Sequence, residues 1–183
     1  MEIWELAALF SVLAVVAWWL SMTAGRIDRV HIRKDDALNS LRLQLAWRAS
    51  AASQLVSSGL LDPVSADILA NEIERVSHGS TRSLSEYLEA ESEFTDALGR
   101  VFDDADAVRE LADSTRSAQL IAELASVCRR VQLARRFHND AVGAAQLLRR
   151  RPVVRWLRLA GHTPWPRALD LADEVPVGLE QFA

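Results

Sequence analysis

Cysteine is almost missing from this chain of 183 residues: Cys128 stands alone. A single thiol excludes an internal disulfide framework and any multi-cysteine metal site, and it suits a reducing compartment. Glycine (7) and proline (5) are too scarce for a loop-rich β fold. Beyond Gly25 no stretch alternates apolar and polar residues for long enough to build a sheet. Positive charge is not in surplus either. Lys and Arg number 21 against 25 Asp and Glu, a net charge of −4, which argues against wholesale nucleic-acid binding. There is no phosphate-cradling glycine loop and no Gly-x-Ser-x-Gly nucleophile elbow. The Glu-x-x-His pairs of a di-iron bundle are absent too, and His31, His78, His138 and His162 fall on separate segments without ligand spacing. These absences predict a protein that is not an enzyme and needs no metal or cofactor. They give no sign of a nucleic acid or a small-molecule substrate as partner.

What is present is an apolar half of the chain, concentrated first between Ile3 and Met22. From Leu6 to Leu20 the only polar residue is Ser11. Twenty helical residues reach about 30 Å, the thickness of a bilayer's hydrocarbon core. Trp4 sits near one end and Trp18 and Trp19 near the other, as an aromatic belt requires. A cleaved signal peptide would need a basic leader, yet no Lys or Arg precedes Arg26. A buried core helix would more often be two-faced. The expectation is a retained transmembrane anchor over 1–25, with the lipid bilayer as its first partner. Arg26, Arg29, Arg33 and Lys34 follow the span directly. The positive-inside rule then puts the N-terminus outside and residues 26–183 in the cytoplasm, although the rule has exceptions and the reverse orientation stays open.

The rest reads helical, so the fold class is all-α: a single N-terminal transmembrane helix followed by an antiparallel bundle of about four long helices over 26–150. The first soluble helix covers about 26–58, with Ile27, Val30, Leu38, Leu41, Leu45, Ala49, Ala52 and Val56 mostly at steps of three and four. Only Gly25 interrupts its continuity with the anchor. Asp62-Pro63 starts the next helix and His78-Gly79 ends it. Ser83-Leu84-Ser85-Glu86 is a capping box, opening a helix whose apolar face holds Leu84, Tyr87, Leu88, Phe94, Leu98 and Val101. Glu86, Glu89, Glu91 and Glu93 are assigned to its other faces. Asp103 to Asp113 forms a turn or two with Val108 and Leu111 inward. The last long helix carries a coiled-coil-like seam through Leu120, Leu124, Val127, Val131, Ala134, His138, Ala141, Ala145 and Leu148. Ile121, Cys128, Phe137 and Val142 widen that seam into a stripe suited to a bundle.

Charge is segregated along the chain. Residues 26–58 carry +3, 59–113 carry −10, 114–167 carry +9 and 168–183 carry −4. Basic first and last helices can flank an acidic middle one, or each run can be a solvated face. Pro152 breaks the last helix, and residues 151–183 form a basic, Trp-containing segment with an irregular acidic tail. Arg149, Arg150, Arg151 and Trp156 are candidates for contact with anionic lipid; the competing reading has Trp156 and Trp165 capping the bundle. Within the seam, Arg135, His138, Asn139 and Asp140 form the one dense polar cluster. They are read as an interhelical polar clamp that fixes register.

Arg129 to Val142 reads RRVQLARRFHNDAV. With the apolar leader and the helical remainder, this resembles the LemA family of bacterial membrane-anchored helical proteins, whose late helix carries an ARxxYNDxV-like stretch. Ala134, Arg135, Asn139, Asp140 and Val142 match it, and His138 stands where Tyr is usual. The first soluble helix lacks the Asn-rich, Pro-containing motif expected in the family, which points to a divergent, actinobacterial-like branch. The resemblance implies a single N-terminal span, an antiparallel bundle and no catalytic residues. The function expected is a membrane-anchored scaffold or adaptor with a protein partner. The alternative is an accessory or regulatory subunit of a membrane enzyme or transporter, bound through the span.

Overall fold

The computed structural model describes residues 3–79, 83–156 and 164–183, without the side chains at positions 5, 6, 8, 20, 23, 24, 27, 79 and 153. Its regular secondary structure is all helical, and no strand occurs among the described residues. The elements are α1 (Ile3–Ser57), α2 (Pro63–Gly79), α3 (Leu84–Val101), α4 (Ala105–Leu111), α5 (Thr115–Arg149), α6 (Pro152–Trp156) and a closing 3-10 helix (Val177–Phe182). Gly25 does not interrupt α1, which runs unbroken for 55 residues. Among the described residues no helix is long and apolar enough to cross a membrane. Of the expected span, the side chains of Glu5, Leu6, Ala8 and Leu20 lie outside that description.

Local chemistry sets the helix ends. Gly59, at φ 71°, adopts the left-handed conformation that stops α1. The Asp62 carboxylate accepts from the backbone N–H groups of Val64 (3.0 Å) and Ser65 (3.1 Å), with Pro63 at the first helical position of α2. The Ser83–Glu86 capping box forms in both directions: the Ser83 hydroxyl takes the Glu86 N–H, and the Glu86 carboxylate takes the Ser83 N–H. Ser114 and Ser117 cap α5 by the same exchange, each hydroxyl accepting the other's N–H at 3.1 Å. The Asp104 side chain caps α4.

The chain packs as two units, 1–36 with 139–168, and 37–138 with 169–183. The core of the second unit draws Ala52 and Leu55 from α1, Leu69 and Val76 from α2, Phe94 and Leu98 from α3, Val108 from α4, and Ile121, Leu124 and Cys128 from α5. A further cluster joins Leu41 and Leu45 to Leu88, Val131 and Ala134. The α5 seam is as its periodicity predicts: all nine positions are buried or half-buried. Phe137 is a correction. Expected on the widened stripe, it is 66% exposed.

The tail is irregular as far as the 3-10 helix, and residues 169–183 pack in the second unit, with Leu171 and Leu179 buried in its core. The Gly178 N–H donates to the Phe102 carbonyl at 2.9 Å, and a Cβ at 178 would lie 2.6 Å from Val108 Cγ2 and 2.8 Å from that carbonyl oxygen. Only glycine fits there. Gln181 adds bonds to Arg109 and to the Ala105 carbonyl, tying the 3-10 helix to α4.

Candidate functional site

Two charged residues lie on apolar stripes. Arg48 follows Leu41 and Leu45 and precedes Ala52 on α1; Glu91 lies between Leu88 and Phe94 on α3. Both are buried, Arg48 at 2% and Glu91 at 1% exposure, so Glu91 does not belong to the solvated faces of α3 to which its sequence assigned it. They form an ion pair, Nη2 to Oε2 at 2.7 Å. Arg48 Nη2 also reaches the Glu91 carbonyl at 3.0 Å, and Nη1 donates to the Thr95 hydroxyl at 2.7 Å. The guanidinium carbon stands 5.1 Å from the centre of the Phe94 ring. The single proton of Thr95 goes to the carbonyl of Glu91 (3.0 Å) or of Ala172 (2.9 Å), so the network also reaches the tail.

A half-open cleft of about 400 Å³ touches this network, with Glu91 and Tyr87 at one side and Ser50, Ser53 and Ser77 among its polar lining. Burial pushes the Tyr87 phenol well above its ordinary value, and the Glu91 charge and hydrogen bond push the same way. Tyr87 therefore stays protonated and donates to the Glu91 carboxylate. Burial likewise raises the Cys128 thiol, which keeps it from the thiolate form. Arg48 and Glu91 neutralise each other. No group of three His, Cys, Asp or Glu that could hold a metal comes together among the described residues. Chemically, this arrangement ties α1 to α3 through a buried ion pair and two further hydrogen bonds.

The four residues expected to form a clamp differ in their surroundings. Arg135 Nε donates to Asp173 of the tail at 2.5 Å, and that bond raises the guanidinium above its ordinary value. His138 is buried at 3% exposure, Asn139 is half-buried and Asp140 is exposed. Of the lipid candidates, Arg149 donates to the Pro164 carbonyl at 2.6 Å and lies over the Trp165 ring. Arg150 and Arg151 are exposed, and Trp156 is 90% exposed, so it caps nothing. The part of that segment at 157–163 lies outside the described residues. Trp4, Trp18 and Trp19 are exposed on α1, as are Arg26 and Arg29.

A family model described as the LemA family matches residues 43–151, more than half of the chain. The chain belongs to the LemA family. Neither a curated protein nor a solved structure gives a significant match. The LemA match takes in Arg48, Glu91 and Thr95 together with the Arg135–Asp140 stretch. It leaves out the apolar leader and the tail that holds Asp173. Sequence reasoning reached the family through α5 and missed the buried pair. The available signal was a carboxylate and a guanidinium sitting on facing apolar stripes.

Proposed function

We propose that this LemA-family protein is a non-enzymatic, single-pass scaffold, with residues 3–22 in the plasma membrane, its N-terminus outside and its helical domain in the cytoplasm, facing a protein partner. One observation carries the reading. Leu9, Phe10, Val12, Leu13, Val15, Val16, Trp18 and Trp19 are all 46% exposed or more. Successive helical positions turn by about 100°, so these side chains point in every direction around α1. An uncovered helix that is apolar all round is stable in lipid rather than water. Ser11, the polar residue among them, gives its hydroxyl proton to the Ala7 carbonyl at 2.8 Å, leaving no free donor for the bilayer. Support for a partner-facing surface comes from Leu43 and Trp47, one turn apart on α1, and Leu133 and Phe137, one turn apart on α5, all about half exposed or more. Alkaline carbonate extraction of native membranes tests the anchor: the full-length chain is expected in the pellet, and its release into the supernatant overturns the reading. Protease added to sealed cells or inverted vesicles tests the orientation. Cleavage of the helical domain is expected only in inverted vesicles.

A further inference from the structure

The unit formed by residues 1–36 and 139–168 contains a second cleft, of about 590 Å³. One wall is α1, where Arg26, Arg29 and Arg33 recur at the spacing of a single helix face. The other is α5, where Leu147, Leu148 and Arg151 do the same. Four arginines thus line one space together with Val30, Ala144, Leu147 and Leu148. Among the described residues none of the four has a carboxylate within ion-pair distance. Asp35 is paired with Lys34 at 2.9 Å, and Asp28, Asp36 and Asp140, the other carboxylates described in this unit, do not line the cleft. Like charges gathered without a counter-charge repel one another, and the arrangement is relieved by an anion. Guanidinium forks match the paired oxygens of a phosphoryl group better than they match a halide.

Position narrows the anion further, given the anchor proposed above, on which this step rests. Arg26 lies about 6 Å of helix rise beyond Met22 and Arg29 about 10 Å beyond it. The polar layer on each side of the hydrocarbon is about 5–7 Å thick. Arg26 therefore stands at the depth of lipid phosphates, and the longer reach of the Arg29 side chain brings its guanidinium back toward the same layer. Leu147, 69% exposed beside them, offers an apolar wall for which a soluble anion has no use.

We propose that this cleft binds the phosphate headgroup of an anionic phospholipid, held by Arg26, Arg29 and Arg151, with Arg33 adding to the positive charge and Leu147 and Leu148 forming the apolar side of the site. The site selects which lipid borders the anchor; it is not what keeps the protein in the membrane. To test it, the full-length protein is reconstituted in vesicles of phosphatidylcholine containing a minor share of phosphatidylglycerol. It is then released in mild detergent, and the retained lipid is weighed by native mass spectrometry. Retention of phosphatidylglycerol over phosphatidylcholine is expected. Arg151→Gln and Arg29→Gln should each reduce it about fivefold, the factor for one basic side chain near an anionic surface. Arg151→Lys should keep part of it. Arg150, an exposed neighbour outside the cleft, is the control: Arg150→Gln should change nothing. Equal retention of the two lipids overturns the proposal, as does a loss in Arg150→Gln matching that in Arg151→Gln. If inorganic phosphate alone, in lipid-free detergent, raises the melting midpoint as much as phosphatidylglycerol does, the ligand is a soluble anion and the lipid assignment falls. The anchor is scored separately by carbonate extraction. A chain that stays in the pellet yet shows no lipid preference refutes the headgroup site alone.

Discussion

Removing one member of the Arg48–Glu91 pair should cost far more than removing both. Glu91→Leu leaves a guanidinium that is 2% exposed with only Thr95 and a backbone carbonyl as partners, and Tyr87 loses its acceptor as well. Breaking a buried pair from one side costs about 3–5 kcal/mol, because the surviving charge is left without compensation. For a chain of this length about 1 kcal/mol corresponds to a shift of roughly 2–4 °C in melting midpoint, so Glu91→Leu should lower the midpoint by roughly 6–20 °C. Arg48→Met should do comparable damage from the other side. The double variant Arg48→Met/Glu91→Leu replaces both charges by apolar groups of similar volume, and such exchanges are often neutral or better. It should therefore recover most of the loss. The assay is thermal unfolding of the full-length protein followed by circular dichroism, in the same detergent for all four chains, read as a double-mutant cycle. Additive effects, with the double variant as unstable as the sum of the singles, would refute the claim that the two charges exist for each other. Single losses of only a degree or two would refute the claim that they are buried together.

Three other outcomes follow from the geometry. Gly178→Ala drives a Cβ into Val108 and the Phe102 carbonyl, so the tail should detach at a cost of about 1–3 kcal/mol; hydrogen exchange should then show 169–183 unprotected, and unchanged protection would count against the packing described. Cys128 should resist a maleimide at neutral pH in the folded protein and react promptly in denaturant, because burial both covers the thiol and raises it; rapid labelling of the native chain would contradict this. The Asp62 carboxyl is held below its ordinary value of 3.8, chiefly by its bonds to Ser65. A depressed folded-state value stabilises above the unfolded value and loses that contribution as pH falls through the folded one. The helicity gap between the native chain and Asp62→Ala should accordingly be full near neutral pH and close below pH 3.8; a gap independent of pH would remove the charge from the explanation.

Much of the helical framework was legible because its signals are local. Asp62-Pro63 and the Ser83–Glu86 box are read within four residues, and the α5 seam repeats often enough to stand above noise. The pairing of Arg48 with Glu91 was not, because 43 positions separate them and nothing on either helix names the other. Each looked like an ordinary charged residue until its neighbours at three and four positions were counted as apolar. Phe137 was misjudged for the opposite reason: it lies close to the seam in angle, yet the stripe that is covered is narrower than the stripe that is apolar. The partner of Arg135 was sought on another helix, whereas it bonds Asp173 of the tail. Asp173 lies in a stretch with no helical period, where residue spacing carries no directional information. The tail's place in the core is likewise set by a close backbone approach at Gly178, which a sequence registers only as one more glycine.

Leu179 has a consequence for biosynthesis. Because that side chain is buried in the core of the second unit, that core stays incomplete until residue 179 has left the ribosome, and the helices made before it must wait, partly open, until then.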